Sequence, residues 1–129
     1  MPKKEVIQTD KAAAPVGPYS QAIRYGDTVY VAGEKGIDPA TGTIVEGGIV
    51  AETRQTLDNV QAILGEAGLS MDDAVRSVVY MTDLNEFGTM NEVYAEYFKV
   101  QPPPRTTLGV TSLPAGAHVE IEVTAVRQS

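Results

Sequence analysis

Val75 to Thr82 is apolar on both of its alternating sides, with Val75, Val79 and Met81 on one and Val78 and Tyr80 on the other. Successive side chains of a strand point to opposite faces, so a run of this kind belongs inside a sheet that is covered on both sides. Two amphipathic segments are available as cover. Between about Val50 and Ala67 the residues Thr53, Leu57, Val60, Ile63, Leu64 and Ala67 recur every three or four positions, with Glu52, Arg54, Asp58 and Gln61 elsewhere, which predicts a helix stopped by Gly68. Asp83 followed by Glu86 predicts a second helix start, after which Phe87, Met90, Asn91, Tyr94, Tyr97 and Phe98 fall on one helical face. Both helices are expected on the same face of the sheet. The opposite face then needs another partner; self-association is the natural one, and a site at a subunit boundary is expected with it.

The remaining strands are read from alternation and turn residues. Val6-Ile7 and Gln21 to Tyr25 are short early strands, and Gly26-Asp27 is a turn before Thr28 to Ala32. Gly33 to Gly48 is a long loop with a turn at Asp38-Pro39-Ala40-Thr41-Gly42. Thr106 to Thr111 and Ala117 to Val126 are the last strands; in the second, Val119, Ile121, Val123 and Ala125 point one way and His118, Glu120, Glu122 and Thr124 the other. The order of elements gives an α+β class, and 129 residues are read as one domain, 1–129, large enough for a real core.

Several function classes are excluded or disfavoured by composition. The absence of cysteine removes disulfides, thiolate nucleophiles and cysteine metal sites. A formal charge of −7 without a Lys/Arg stripe disfavours nucleic-acid binding. No apolar run approaches the roughly 20 residues that span a bilayer, and the opening Met1-Pro2-Lys3-Lys4-Glu5 lacks an apolar signal core, so a cytoplasmic protein without membrane contact is expected. His118 is the sole histidine, with no HExxH pattern beside it, and neither a metal nor another cofactor is expected; its place is a surface or an interface. Ser20 and Ser77 have no evident triad, and Gly33-Glu34-Lys35-Gly36 lacks the spacing of a phosphate loop.

The candidate chemistry centres on Arg105. Gln101-Pro102-Pro103-Pro104 is a stiff arm that delivers one arginine to the start of a strand. A guanidinium so restrained reads either as a carboxylate clamp or as an ordinary surface charge after a loop. Thr107, two residues on, faces the same side, and antiparallel pairing with the last strand would let Glu120 share that face. Glu120 is the sensible base for orienting a water, although its pattern alone is that of a solvated residue beside Glu122. Tyr19 reads as a cleft phenol or as a half-buried aromatic after Pro18. Asn91 lies on the apolar stripe of the second helix, where its amide needs either a backbone partner or a cleft.

Taken in order, Gly17-Pro18-Tyr19-Ser20-Gln21-Ala22, Val31-Ala32-Gly33, Gly36-Ile37-Asp38-Pro39, Gly42, Thr56-Leu57-Asp58-Asn59-Val60, Asp83-Leu84, Phe87, Asn91, Tyr94, Phe98, Pro103, Arg105, Leu113-Pro114 and Val119-Glu120-Ile121-Glu122 resemble the Rid/YjgF family of reactive-intermediate deaminases over nearly the whole chain. The resemblance implies a chorismate-mutase-like fold, with a mixed β-sheet and two helices packed on one face, assembled as a homotrimer with clefts between subunits. It implies hydrolysis of 2-imino acids and their enamine tautomers, such as those derived from 2-aminoacrylate, to 2-oxo acids and ammonia, without a cofactor. Arg105 would bind the substrate carboxylate, Glu120 would lie beside the attacking water, and Tyr19, Gly33, Asn91 and Thr107 would line the cleft. Ala32 stands where serine is common, Glu34 where glutamine is usual and Lys35 at an ordinarily apolar position, which bears on the preferred substrate side chain. Two other readings stay open: a trimer that binds small carboxylic metabolites without turning them over, and RNA cleavage, which the chain's acidity disfavours.

Overall fold

A computed structural model of the chain describes residues 2–129. Among them six strands and two α-helices run in the order β1 (Glu5–Ile7), β2 (Ala22–Tyr25), β3 (Thr28–Lys35), α1 (Gly48–Glu66), β4 (Ala74–Met81), α2 (Phe87–Ala95), β5 (Arg105–Gly109) and β6 (Val119–Val126). The strands form a mixed sheet ordered β1-β2-β3-β6-β4-β5, in which β4 and β5 are parallel and every other neighbouring pair is antiparallel. β2 and β3 make the expected hairpin across Gly26-Asp27, with Tyr25 opposite Thr28.

The topology explains why both helices share a face. From β3 to β4 and from β4 to β5 the chain steps in the same direction along the sheet, each time through a helix and each time returning parallel. Crossovers of one hand place their helices on one side. β6 then inserts antiparallel between β3 and β4. Its burial alternates strictly, with Val119, Ile121, Val123 and Ala125 inside. They join Val29, Val31, Val79 and Met81 from the sheet and Leu57, Val60, Ile63, Leu64, Met90, Tyr94 and Phe98 from the helical layer in one core.

Packing rather than capping holds α1. Its N-terminus carries no side-chain cap, whereas Leu57, Val60, Ile63 and Leu64 are wholly buried, each contributing about 1.5–3 kcal/mol relative to exposure. Past its last turn Gly68 takes φ 78°, the left-handed position that favours glycine, and the Leu69 amide donates to the Leu64 carbonyl. α2 is introduced by a short 3-10 turn, Leu84–Glu86, capped by Asp83, whose carboxylate accepts from the Asn85 amide at 2.9 Å.

The two sides of β4 are as the pattern required, with one change. Val79 and Met81 are fully buried beneath the helices and Val78 and Tyr80 lie on the other face. Val75 leaves the first set: the pairing with β6 is irregular between Ala74 and Arg76, and the slip turns Val75 out to 47 % exposure. The face away from the helices is uncovered in the protomer, with Tyr30 52 % and Leu108 37 % exposed.

Candidate functional site

Arg105 opens β5 beside Ser77 of β4, and the Ser77 amide donates to the Pro104 carbonyl at 3.1 Å, tying the proline arm to the sheet before the arginine is reached. Pro103 is buried and Gln101 takes φ 45°, so the arm is anchored at its middle and turned at its start. The guanidinium carbon lies 4.6 Å from the Tyr94 ring centroid and 5.5 Å from that of Phe87, within the range of cation–π attraction. Tyr94 is itself fixed: its hydroxyl and Ser77 Oγ are 2.8 Å apart in a buried bond, and its ring packs on Phe98 at 4.4 Å. Burial raises the Tyr94 phenol above its ordinary range, against the lowering effects of Ser77 and Arg105. Among the described residues no carboxylate pairs with Arg105. It is a held cation with its anion-binding capacity unused.

Asn91 sits on the same helical stripe, four residues after Phe87 and three before Tyr94, and its Oδ1 is buried without a hydrogen-bond partner. The backbone partner that would have made it a purely structural amide is therefore missing on that atom. Thr107 pairs with Val79, as Arg105 does with Ser77, so both side chains lie on the helix-covered face. Arg105, Phe87 and Tyr94 thus form one cluster at the β5 edge, with Thr107 on the same face of the strand and Asn91 on the same stripe of the helix.

A second cluster lies on the opposite face. Glu120 pairs with Lys35 on β3 and Tyr80 on β4, the uncovered side of the sheet. Between Val31 and Glu34 the β3–β6 register slips, leaving Ala32 and Gly33 in a bulge. Gly33 leaves the room in which the Glu120 carboxylate lies, since a Cβ on it would stand 2.2 Å from Glu120 Oε2 and the carboxylate would have to move. The carboxylate lies directly over the glycine and forms, with Val16, Tyr19, Ala32, Lys35 and Pro114, a cleft of about 350 Å³. Tyr19 is placed by its own loop: its hydroxyl accepts from the Val16 amide at 3.1 Å and its amide donates to the Gly17 carbonyl at 2.9 Å. Gln21, buried, holds the preceding segment by bonds to the Thr9 amide and the Thr9 and Ala13 carbonyls.

Two further ionisable groups adjoin this cleft. Lys35, 6 % exposed, places Nζ 3.9 Å from Glu120 Oε1, and its carbonyl accepts from Asn59 Nδ2 of α1 at 3.1 Å. Glu34, also 6 % exposed, borders an adjoining crevice with Tyr19 and Lys35. Its carboxyl is pushed up to about 7, chiefly by burial, with Lys35 lowering it and Glu120 raising it.

The sheet order corrects one expectation. β5 does not pair with β6: β4 lies between them, β5 runs parallel to β4, and Arg105 and Glu120 consequently occupy opposite faces of the same protomer. Alternation along each strand was legible, but which strand neighbours which was not. Phe87, Tyr94 and Ser77 are the supporting residues that the sequence reading did not assign to the site; the available signal was an aromatic pair flanking Asn91 on one helical stripe. His118 is exposed as expected, with Nδ1 2.5 Å from Oε2 of the buried Glu52, and that contact raises its imidazole above the ordinary range. Among the described residues no group of three or more His, Cys, Asp or Glu could hold a metal ion, and no helix is long and apolar enough to cross a membrane.

A mixed six-stranded sheet with two helices on one face, a fixed arginine at its edge and a glutamate-lined cleft on its bare face define a small α+β protein of the YjgF type. Residues 9–127 match the family model Endoribonuclease L-PSP, and the chain belongs to that family, Rid/YjgF. It is 49 % identical over 125 residues to a RutC family protein of Pyrococcus abyssi, covering 97 % of this chain and 98 % of that one. It is 44 % identical over 124 residues to the 2-iminobutanoate/2-iminopropanoate deaminase of Mus musculus, covering 96 % and 92 %. Among solved structures, E. coli TdcF with bound serine superposes with a TM-score of 0.92 at 38 % identity, over 96 % of this chain and 99 % of that one.

Proposed function

We propose that this protein is a cytoplasmic deaminase that hydrolyses small 2-imino acids and their enamine tautomers to 2-oxo acids and ammonia, acting as a homotrimer of single-domain protomers whose sites lie between subunits. The observation that carries the reading is Arg105, a fixed guanidinium stacked on two rings with no carboxylate partner among the described residues. A 2-imino acid presents a carboxylate next to an electrophilic C=N carbon. Arg105 is the anchor for the first, by a bidentate charge-assisted pair, and Glu120 orients the water that attacks the second. Thr107 and Asn91 border the anchor; Tyr19 and Gly33 border the base. Because the two clusters occupy opposite faces of one sheet, the edge of one protomer must meet the bare face of another to complete a site. The exposed Tyr30 and Leu108 on that bare face support such an assembly. The deaminase name of the mouse relative supports the reaction.

No cofactor is needed, since hydrolysis of an activated imine requires only an anchor, a placed water and proton transfer. The test adds the protein to a system generating 2-aminoacrylate and measures ammonia and pyruvate. Native protein should accelerate release, and Arg105→Ala and Glu120→Gln should each remove the acceleration; unchanged release in all three would overturn the reading. A second reading, a binder of small carboxylates, is favoured by the serine held in TdcF, and it requires saturable pyruvate binding with no acceleration.

A further inference from the structure

Anchor and base leave one requirement of the reaction unmet: water's proton has somewhere to go, but nitrogen must also receive one before it departs. Lys35 meets the geometric conditions for supplying it. It is the direct cross-strand neighbour of Glu120 in the β3–β6 register, so both side chains leave the sheet on one side, and both line the same cleft. Its ammonium is 3.9 Å from Glu120 Oε1, close enough for electrostatic coupling yet too long for a hydrogen bond. Its one hydrogen bond among the described residues is a long one, 3.4 Å to the Gly33 carbonyl. An ammonium has three donors, so at least two are unmatched on a side chain only 7 % exposed. Asn59 fixes the backbone beneath it through bonds to the Lys35 and Ile37 carbonyls at 3.1 and 2.9 Å, and Asn59 is itself wholly buried. Lys35 thus brings donors without a partner among the described residues to the wall of the cleft it shares with Glu120.

We propose that Lys35 is the catalytic acid of this site, paired with Glu120 as base, so that the two move a proton from the adding oxygen to the leaving nitrogen. The inference rests on the deaminase reading and extends it. Water adds to the C=N carbon as Glu120 takes one of its protons and Lys35 protonates the imine nitrogen, and the proton on Glu120 passes to the Lys35 amine; the intermediate then carries a hydroxyl and an amino group on one carbon. Lys35 protonates the amino nitrogen, the C–N bond breaks with its electron pair leaving on nitrogen, and ammonia departs. Glu120 takes the hydroxyl proton as the O–H pair becomes the second C=O bond of the 2-oxo acid. The proton on Glu120 then returns to the Lys35 amine, and both groups are restored with no external acid, base or oxidant. Glu34 precedes Lys35 on β3 and pairs with Ile121, so its side chain leaves the strand on the other side, and the two residues meet only at the rim of an adjoining crevice.

The experiment measures kcat and KM for 2-iminopropanoate generated in situ, on native protein, Lys35→Met, Lys35→Arg and Glu120→Gln, with thermal melting of each. Loss of a general acid should lower kcat about 10²-fold or more in Lys35→Met while KM stays within about two-fold. Lys35→Arg should keep KM and melting temperature yet leave kcat low, because a guanidinium holds its proton too tightly to donate it. Added methylammonium should restore part of the rate of a Lys35→Ala variant. A kcat for Lys35→Met equal to native defeats the proposal. So does full activity in Lys35→Arg, which would assign Lys35 a charge effect only. A rise in KM confined to imines with a second carboxylate, at unchanged kcat, would make Lys35 a side-chain reader instead and likewise overturn it. Failure of the deaminase reading looks different: the native protein shows no turnover, or Glu120→Gln retains it, and Lys35 loses its role along with that reading.

Discussion

The Arg105 cluster and the Glu120 cluster hold opposite charges by different physical means. Arg105 is steadied by neutral, rigid surroundings: a proline arm below it, two rings beside it and a buried hydroxyl bond that locks one of those rings. Little entropy remains to be lost when such a guanidinium meets an anion. Glu120 is steadied by a backbone bulge and by other charges, with Gly33 clearing the space it occupies and Lys35 across the strand from it. The difference suits the roles proposed for them, since an anchor needs only a fixed place and an acid–base group needs neighbours that exchange protons with it.

Substitutions can break this contrast, beginning with the largest effect. Arg105→Ala should lower kcat/KM by about 10³-fold, since two charge-assisted bonds to a carboxylate are each worth about 1.5–3 kcal/mol, while the melting temperature stays near native. Steady-state ammonia release and a thermal melt check both halves. Gly33→Ala should reduce activity about 10²-fold with the fold retained, because its methyl would stand 2.2 Å from Glu120 Oε2 and must displace it. An active Gly33→Ala enzyme would show that Glu120 need not lie over the glycine.

Glu34→Gln sharpens the comparison on the charged side. The Glu34 carboxyl is raised from 4.5 to about 7 in the folded chain, chiefly by burial, with Lys35 lowering it and Glu120 raising it. A raised acid binds its proton more tightly when folded, so its stabilising effect is full below about pH 4.5 and is lost as pH rises through about 7. The variant, freed of that loss, should be more stable than native by about 2–3 kcal/mol at pH 8 and show a flatter stability profile between pH 5 and 8. Urea unfolding across that range measures it, and parallel curves for the two proteins would refute it. Tyr94→Phe probes the neutral side and should have the smallest effect. It leaves the buried Ser77 hydroxyl without its partner, costing about 1–2 kcal/mol of stability, and should raise KM several-fold with kcat nearly unchanged.

Much of the fold was legible because periodicity is local. The alternation of Val119, Ile121, Val123 and Ala125 placed Glu120 on the other side of β6, and the stripe through Phe87, Asn91 and Tyr94 placed α2 on the sheet. The exit of Val75 was not legible, since a register slip against β6 depends on a partner about fifty residues away. Phe87 and Tyr94 read as core residues and are also the platform for Arg105, because a cation–π contact joins segments that have no spacing relation in the chain.

By itself the sequence determined the element order, the buried face of each element apart from Val75, the proline arm before Arg105 and the presence of a carboxylate on the side of β6 away from its apolar residues. Those properties follow from residue types and their spacing within single segments. Only the tertiary structure decided that β6 inserts between β3 and β4, and therefore that Arg105 and Glu120 face opposite ways and Lys35 comes to lie beside Glu120. Strand neighbours are chosen by the competition of whole faces for burial, a property of the assembled sheet that no one segment carries.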